Sequence, residues 1–570
     1  MCGISGIFNY KKSIRPLDKI VAMNNKIRHR GPDDEGYFLI DTAGEKFYSG
    51  LDSTQEIKAQ HKQINSAVSG TLAFGFRRLA IIDLSSAGHQ PMQDNSSRYT
   101  IIFNGEIYNY RELREDLLKK GYNFNTETDT EVVLNMYSEY GDSCFKLFNG
   151  MWAIAIWDSL EEVLTLSRDR WGIKPLCYFQ DKEKIVFGSE EKQIKAYGIT
   201  TTPNYDMIYR YLKMGSMVRY GEETFYNEIK VIKPGHLMKI KGGNISIEKF
   251  YDMDIANFET YKGSFESACE EYKELFTESV SLRMRSDVEV GSCLSGGLDS
   301  SAIVCSATKE RTKLKTFSAY FTLSQAYDER KWMKIVNEKT GSKAHFINPK
   351  GSDVERDFRK ITYFHDSPVI GSSPVTQYYV MKKAKESGVT VLLDGQGSDE
   401  ITAGYNHAFY RYYADLIKQR KFEQLFSEFP EYLSKQQKGS PISKIAKVLF
   451  TLIAKESSLY NYEVKNYEVD VMKDGYYRGI LAEVEDIKCG KLSNFQYNLL
   501  NNIFMQSLLH FEDRNSMAFS IESRVPFLDY KLVEFAYSLP SEYKIKGATG
   551  KRVHRIGLSD VVPEEIYNRK

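Results

Sequence analysis

The sequence predicts two folds in series, α+β then α/β. A sandwich of packed sheets with helices is expected over the first ~210 residues, and a doubly wound parallel sheet with helical additions after it. Three observations carry this. Short β-type runs separated by turn signals fill the first part. From about residue 264 long helices alternate with short buried strands, the pattern of a parallel sheet covered on both faces. Between them lie Lys233-Pro234-Gly235-His236 and Lys241-Gly242-Gly243-Asn244, turn chemistry of a domain edge. The expected division is 2–218, a connecting segment 219–255, and 256–570.

The first part reads as strands at Thr71–Phe76, Thr100–Phe103, Met151–Trp157, Val163–Ser167 and Lys184–Gly188. Two stretches have helical spacing, Tyr110–Lys120 and Thr130–Tyr140, the second after Asp129 as its cap. In the second part the strands are Glu289–Leu294, Leu314–Tyr320, Ala344–Ile347 and Val389–Leu393. Residues ~405–480 are aromatic, Lys-rich and helical in pattern, which suits helix packing rather than a nucleic-acid surface.

Composition narrows the class. The chain has 570 residues, enough for two or more cores. Its 42% hydrophobic and 27% charged content is that of an ordinary globular protein. A net charge of +1 argues against a nucleic-acid or anionic-membrane binder. No apolar run approaches the ~18 residues of a spanning helix, and no signal peptide is visible at the start. Seven cysteines form neither a CxxC pair nor a metal-ligand spacing. Such a sparse, odd set fits free thiols in a reducing cytoplasm, the expected location.

Cys2 directly follows the initiator Met1. Methionine removal would place a thiol and a free α-amine on one residue. The amine, with a reference pKa of roughly 8, is partly an unprotonated base at neutral pH. The thiol, at about 8.5, needs such a base to become the attacking thiolate. Four polar strings accompany it: Arg28-His29-Arg30-Gly31-Pro32-Asp33-Asp34, Arg77-Arg78-Leu79-Ala80-Ile81-Ile82-Asp83, Phe103-Asn104-Gly105-Glu106-Ile107-Tyr108-Asn109 and Thr126-Glu127-Thr128-Asp129-Thr130-Glu131. Each alone reads as a turn, a cap or an exposed charge. Together, in this order behind Cys2, they resemble the class II glutamine amidotransferases over residues 2–218.

That resemblance implies an N-terminal-nucleophile hydrolase fold, a four-layer αββα sandwich, with Cys2 attacking the glutamine side-chain amide. It places Arg78 on the glutamine carboxylate, a bidentate task suited to a guanidinium, and Asp129 with Glu106 on the ammonium. Asn104 and the Gly105 N–H become the donors to the oxyanion. Glycine suits that position because the backbone must approach closely or take unusual dihedrals.

In the second part, Val290-Gly291-Ser292-Cys293-Leu294 leads into Ser295-Gly296-Gly297-Leu298-Asp299-Ser300-Ser301 and the helix start Ala302-Ile303-Val304. A strand, a Gly/Ser loop and a helix N-terminus present backbone N–H groups to an anion. No GxxxxGK[ST] string occurs, so this is not a Walker A loop. The string resembles the pyrophosphate loop of the ATP pyrophosphatases, whose reaction yields AMP and pyrophosphate. The resemblance assigns ATP to Leu294, Ser295, Gly296, Gly297, Leu298, Asp299, Ser300, Ser301, Ala319, Asp394 and Gly395. It assigns Mg²⁺ to Asp299 and Asp399, the latter in Asp394-Gly395-Gln396-Gly397-Ser398-Asp399-Glu400, and the charge developing on the α-phosphate to Lys551. His510-Phe511-Glu512-Asp513-Arg514-Asn515-Ser516-Met517-Ala518 and Glu522-Ser523-Arg524-Val525-Pro526-Phe527-Leu528-Asp529 are similar to a signature of asparagine synthetases.

Over nearly its whole length the chain therefore resembles glutamine-hydrolysing asparagine synthetases. The resemblance implies glutamine, ATP and a carboxylate acceptor as partners, with Mg²⁺, and leaves a homodimer open. The chain departs from the family at Gln396, where asparagine-making members usually carry a glutamate; an amide cannot act as a general base. It departs again at His365-Asp366-Ser367-Pro368, where an acidic-Pro pattern is expected on the acceptor side. Relatives of this subgroup also continue some tens of residues beyond Asn568-Arg569-Lys570. Three readings follow: amidation of aspartate, amidation of a larger acid such as a sugar uronate or cell-wall diaminopimelate, or a non-catalytic glutamine- or nucleotide-binding regulator.

Overall fold

The computed structural model describes all residues except 1, 11–14, 42, 66–67, 215–220, 311–312, 323–327, 370, 436–438, 466–483 and 570. The first part is built on two large antiparallel sheets, with a small two-stranded one between Arg15–Pro16 and Ser69–Gly70. The seven-stranded sheet runs in the order Lys230–Val231, Cys177–Gln180, Lys184–Gly188, Gly3–Asn9, Leu72–Arg78, Asp34–Asp41, Gly44–Ser49. The six-stranded sheet runs Asn244–Lys249, His236–Lys241, Val163–Arg168, Gly150–Asp158, Tyr99–Ile107, Met92–Gln93.

Period-2 alternation explains the layering, since successive strand side chains face opposite ways. Ile4 and Phe8 enter the layer between the sheets with Phe74, Ile102 and Ala155, while Ile7 faces outward with Ile20, Met23 and Ile194. The helices Lys19–Asn25 and Glu191–Tyr197 therefore cover one sheet. On the other, Ile101, Phe103 and Ile154 meet Val132, Val133 and Met136 of the helix Asp129–Tyr140. The result is the expected αββα order. Residues 219–255, expected as a connecting segment, instead supply strands to both sheets. Gly242 and Gly243 sit in the turn of a hairpin, both at positive φ.

Asp129, expected to cap its helix, is the first helical residue. The cap is Thr128, whose hydroxyl accepts from the Glu131 N–H. With that amide taken by a threonine, the Asp129 carboxylate is free to accept from Ile107 N–H at 2.9 Å.

The second part is built on a five-stranded parallel sheet in the order Lys343–Ile347, Lys315–Ala319, Val290–Cys293, Val391–Leu393, Glu522–Arg524. Phe317 and Leu392 meet Val380, Met381 and Ala384 of the helix Ser372–Glu386 on one face. Val391 and Leu393 face the helices Leu298–Glu310 and Arg330–Thr340 on the other. The chain builds outward from Val290–Cys293 on one side, then crosses to Val391–Leu393 on the other. Ligands bind at such a switch point, outside the carboxyl ends of the strands. Helices over residues 406–465 and 491–498 pack around Phe409, Tyr412, Tyr413, Tyr432, Leu492 and Phe495. No described helix is long and apolar enough to cross a membrane.

The two parts are joined by buried charge. Arg30 makes a bidentate pair with Asp513 at 2.8 and 2.9 Å, reaches Glu190 at 2.9 Å, and donates from Nε to the Cys2 carbonyl at 3.1 Å. Arg514 pairs with Glu190 at 2.9 Å and Glu191 at 2.6 Å. Removing one partner of a buried pair strands the other charge, at about 3–5 kcal/mol. Arg30→Ala is expected to lower unfolding stability by that order; an unshifted denaturation midpoint would show that the cluster does not hold the domains.

Candidate functional site

The first site lies at one end of the sandwich. Cys2, Arg78, Gly105, Glu106 and Asp129 line one pocket together with Leu79, Gln90, Thr128 and Glu522. Cys2 and Arg78 stand at the starts and ends of neighbouring strands, Gly3–Asn9 and Leu72–Arg78, and the antiparallel register pairs Gly3 with Arg77. The Cys2 nitrogen, the future α-amine if Met1 is removed, donates to Asn104 Oδ1 at 3.1 Å. With that contact made by Oδ1, the buried Nδ2 has no hydrogen-bond partner among the described residues. A buried orphan donor is costly, and this one belongs to the side chain that the Cys2 nitrogen contacts. Burial pushes the Cys2 thiol up, so it rests as the neutral form and needs a base.

Gly105 lies inside the strand Tyr99–Ile107. Close approach is the reason for glycine, because an added Cβ would lie 2.1 Å from the Met151 carbonyl oxygen. Its φ is not positive, so unusual dihedrals play no part. The Arg78 guanidinium donates to the carbonyls of Asp83 and Ser85, which fixes its direction. Glu106 and Asp129 are both buried acids. Burial, with each carboxylate facing acidic neighbours, pushes Glu106 well up and Asp129 to about 7. Among the described residues Glu106 Oε1 has no hydrogen-bond partner, and its other oxygen lies 3.6 Å from Arg524. Two buried acids with so little compensation are able to accept a cation.

The second site lies at the switch point of the parallel sheet. A cavity of about 890 Å³ is lined by Leu294, Ser295, Phe317, Ala319, Asp394 and Gln396 among others. The Gly/Ser loop closes on itself through Ser295 N–H to Ser300 Oγ at 3.1 Å and Gly297 N–H to Ser295 Oγ at 3.3 Å. Gly296 takes φ +75°, and a Cβ there would meet Trp332 at 2.8 Å, so the loop requires glycine. Gly297 is half-exposed, Leu298 and Gly395 partly so, and Ser301 is wholly buried under the loop.

Asp299, Asp399 and Lys551, far apart in sequence, meet beside this loop rather than in the cavity lining. The Lys551 ammonium lies 2.7 Å from Asp299 Oδ2 and 2.7 Å from Asp399 Oδ1. Ser398 Oγ donates to Asp299 Oδ1 at 2.8 Å. Burial works against the Asp299 charge, but Lys551 and His554 outweigh it and hold the carboxyl well below the usual range. Burial raises Asp399. Lys551 has φ +53°, a conformation rare outside glycine and kept where surroundings impose it. Asp366 pairs with Lys192 at 3.0 Å in the interdomain cluster.

Sequence reasoning missed Glu522 as a first-site residue. It belongs to the second domain's edge strand, yet lines the pocket that holds Cys2. Arg524 Nε holds it at 2.6 Å. The intervening Ser523 faces the other way and donates to Glu512. One three-residue strand thus touches both sites by alternation. Its motif was visible; that it lies against a thiol 520 positions earlier was not.

Asn104→Ala removes the orphan donor. One such donor is worth about 3–4 kcal/mol of barrier, so glutamate release is expected to fall by roughly two to three orders. Steady-state kinetics would show it in kcat, with KM little changed; an undiminished kcat would remove Asn104 from the reaction.

Comparison with known proteins places each part of the chain in a family. Residues 61–251 match the family described as Glutamine amidotransferase domain, and 271–570 match that described as Asparagine synthase. Asparagine synthetase (glutamine-hydrolyzing) 1 of Bacillus subtilis is 32% identical, covering 100% of this chain and 86% of its own length. Asparagine synthetase (glutamine-hydrolyzing) 3 of the same organism is 29% identical with the same coverage. A protein named amidase chry2, from Gibberella zeae, is 24% identical over 100% of this chain and 88% of its own. With a pocket built around Cys2 in one domain, a Gly/Ser anion loop at the switch point of the other, and these matches over its whole length, the chain belongs to the asparagine synthase family.

Proposed function

We propose that this protein hydrolyses glutamine to ammonia in its first domain and uses ATP in its second to convert a carboxylate into an amide, releasing AMP and pyrophosphate. Aspartate, yielding asparagine, is the first acceptor to test. The observation that carries the reading is Asn104. Its amide is anchored by the Cys2 nitrogen, and its buried Nδ2 has no partner until a tetrahedral oxyanion forms beside it.

The roles are those that the family resemblance implies for these residues. The Cys2 α-amine takes the thiol proton and the sulfur attacks the glutamine amide carbon. Arg78 holds the substrate carboxylate, and Glu106 with Asp129 the ammonium. In the second domain the Ser295–Ser301 loop receives the pyrophosphate, and Lys551 steadies charge on the α-phosphate. Asp299 and Asp399 both reach one ammonium nitrogen at 2.7 Å, so their oxygens can converge on one cation. No cluster of three or more metal-binding acids, His or Cys occurs among the described residues. Two carboxylates fit Mg²⁺, which completes its shell with waters and phosphates; bound there, it would neutralise the nucleotide.

A larger acceptor is favoured by one feature. Among the described residues lining the 890 Å³ cavity there is no Lys or Arg, and Phe495, Leu499, Ile503, Phe504 and Phe511 form an apolar wall. That wall suits an acceptor less densely charged than aspartate.

The test is mass spectrometry of a reaction with amide-¹⁵N glutamine, Mg²⁺-ATP and aspartate, diaminopimelate or a uronate in turn. A labelled amide with AMP identifies the acceptor. Labelled ammonia with no amide from any of them would sink the ligase reading.

The ammonium seat has a pH signature. With Asp129 pushed up to about 7, it is protonated and uncharged below that pH. The KM for glutamine is then expected to rise as pH falls through 7, because the ammonium loses an ionised partner. A KM flat between pH 6 and 8 would remove Asp129 from that role.

A further inference from the structure

Attack of ammonia on an acyl-adenylate forms a C–N bond, breaks the acyl C–O bond and expels AMP with the bonding electrons. The nitrogen must then lose one proton to become a neutral amide. Gln396 cannot take it, since an amide is no base. The structure places another group there.

Asp394 lines the cavity at the end of its strand. Behind it lies Glu512, buried on the helix Met505–Met517. The Gln377 amide joins them: its Nε2 lies 3.5 Å from Asp394 Oδ2 and also donates to Glu512 Oε2. That orientation is enforced, because Gln377 Oε1 accepts from Asn515 Nδ2 at 2.9 Å. Gln396 Nε2 adds a contact to Glu512 Oε2 at 3.5 Å, and Ser523 Oγ donates to Oε1. Gly395 N–H donates to Asp394 Oδ1 at 2.6 Å.

All these donors are neutral. Among the described residues no Lys, Arg or His hydrogen-bonds to either carboxyl. Burial raises both acids, and Glu512 well above the carboxylate range with the Asp394 charge adding to it. Two such neighbours resist ionising together, and one proton held between them leaves a single negative charge. A half-protonated buried carboxyl pair facing a substrate cavity is an acid–base device.

We infer that the Asp394–Glu512 pair accepts the proton released when ammonia attacks the activated acyl group, with Asp394 as the group facing the substrate and Glu512 as the positioning partner that holds the shared proton. This rests on the amide-ligase reading above. Gln396, an amide donor to Glu512, orients the pair and does not replace it.

The test uses the full chain with ammonia as nucleophile and the acceptor found above. Asp394→Asn and Glu512→Gln, both near-isosteric, are compared with wild type in three assays. Amide formation from ammonia is expected to fall by about 10²–10⁴. In Glu512→Gln, whose residue does not line the nucleotide cavity, acceptor-dependent ATP–pyrophosphate exchange, which needs no ammonia, is expected to persist within about threefold, because adenylation releases no such proton. Hydroxylamine, whose conjugate acid sheds its proton more readily, is expected to restore product. Glutamine hydrolysis by the same variants verifies that they fold. Amide formation at the wild-type rate in either variant, or exchange lost in step with it in Glu512→Gln, would overturn the assignment and leave the ligase reading standing. A wild type that shows no exchange with any acceptor removes the ligase reading, and this assignment with it.

Discussion

Cys2→Ala is expected to release no glutamate from glutamine, and to form the amide from added ammonia at close to the wild-type rate. The nucleophile has no understudy. The six other cysteines, all unpaired thiols, lie outside the pocket. Knocking out a nucleophile typically costs about six orders in kcat, so glutamate release should fall to background. The second activity survives because the ATP cavity contains no part of the first pocket. The substitution removes only a sulfur, and the main-chain contacts of residue 2 with Asn104 and Arg30 remain. The measurement is paired: glutamate by coupled assay, and pyrophosphate with ammonium salt present. Loss of both activities in a variant that still folds and binds ATP would end the picture of two separable sites.

Asp299→Ala is the mirror experiment. Pyrophosphate release is expected to fall by at least two to three orders, the scale set by removing a key electrostatic group from a phosphate site. Glutamine hydrolysis should continue. Asp299 is the hub of its cluster, accepting from Ser398 and Lys551 and lying 3.3 Å from His554. Its loss frees Lys551 from one partner while Asp399 remains, so the effect reaches the phosphate end as well as the cation. Retained pyrophosphate output would defeat the assignment of Asp299 to the cation, whatever the acceptor proves to be.

The parts legible in the sequence were local. Sheet strands such as Lys184–Gly188 and the helix ending at Tyr140 were readable from period and turn chemistry. The Gly/Ser loop between a buried strand and an apolar helix could be placed because its neighbours in sequence are its neighbours in space. Thr128 and Asp129 exchanged roles because two capping residues stand side by side, and only the backbone geometry chooses between them. The strands within 219–255 were hidden behind their own turns, since Gly-rich turn chemistry marks a hairpin and a domain edge alike.

The sequence by itself determined the chemistry available: a thiol at position 2, an anion loop, and acids and a lysine of the kinds that glutamine hydrolysis and nucleotide activation need. Tertiary structure decided who acts with whom. Glu522 reaches the pocket of Cys2, Glu512 stands behind Asp394, and Lys551 lies between Asp299 and Asp399. The reason is physical. A motif shows a side chain's type and its local backbone, whereas strand order and helix packing set which buried charges share a low-dielectric space. Their pairing, and hence their protonation, is a property of that space.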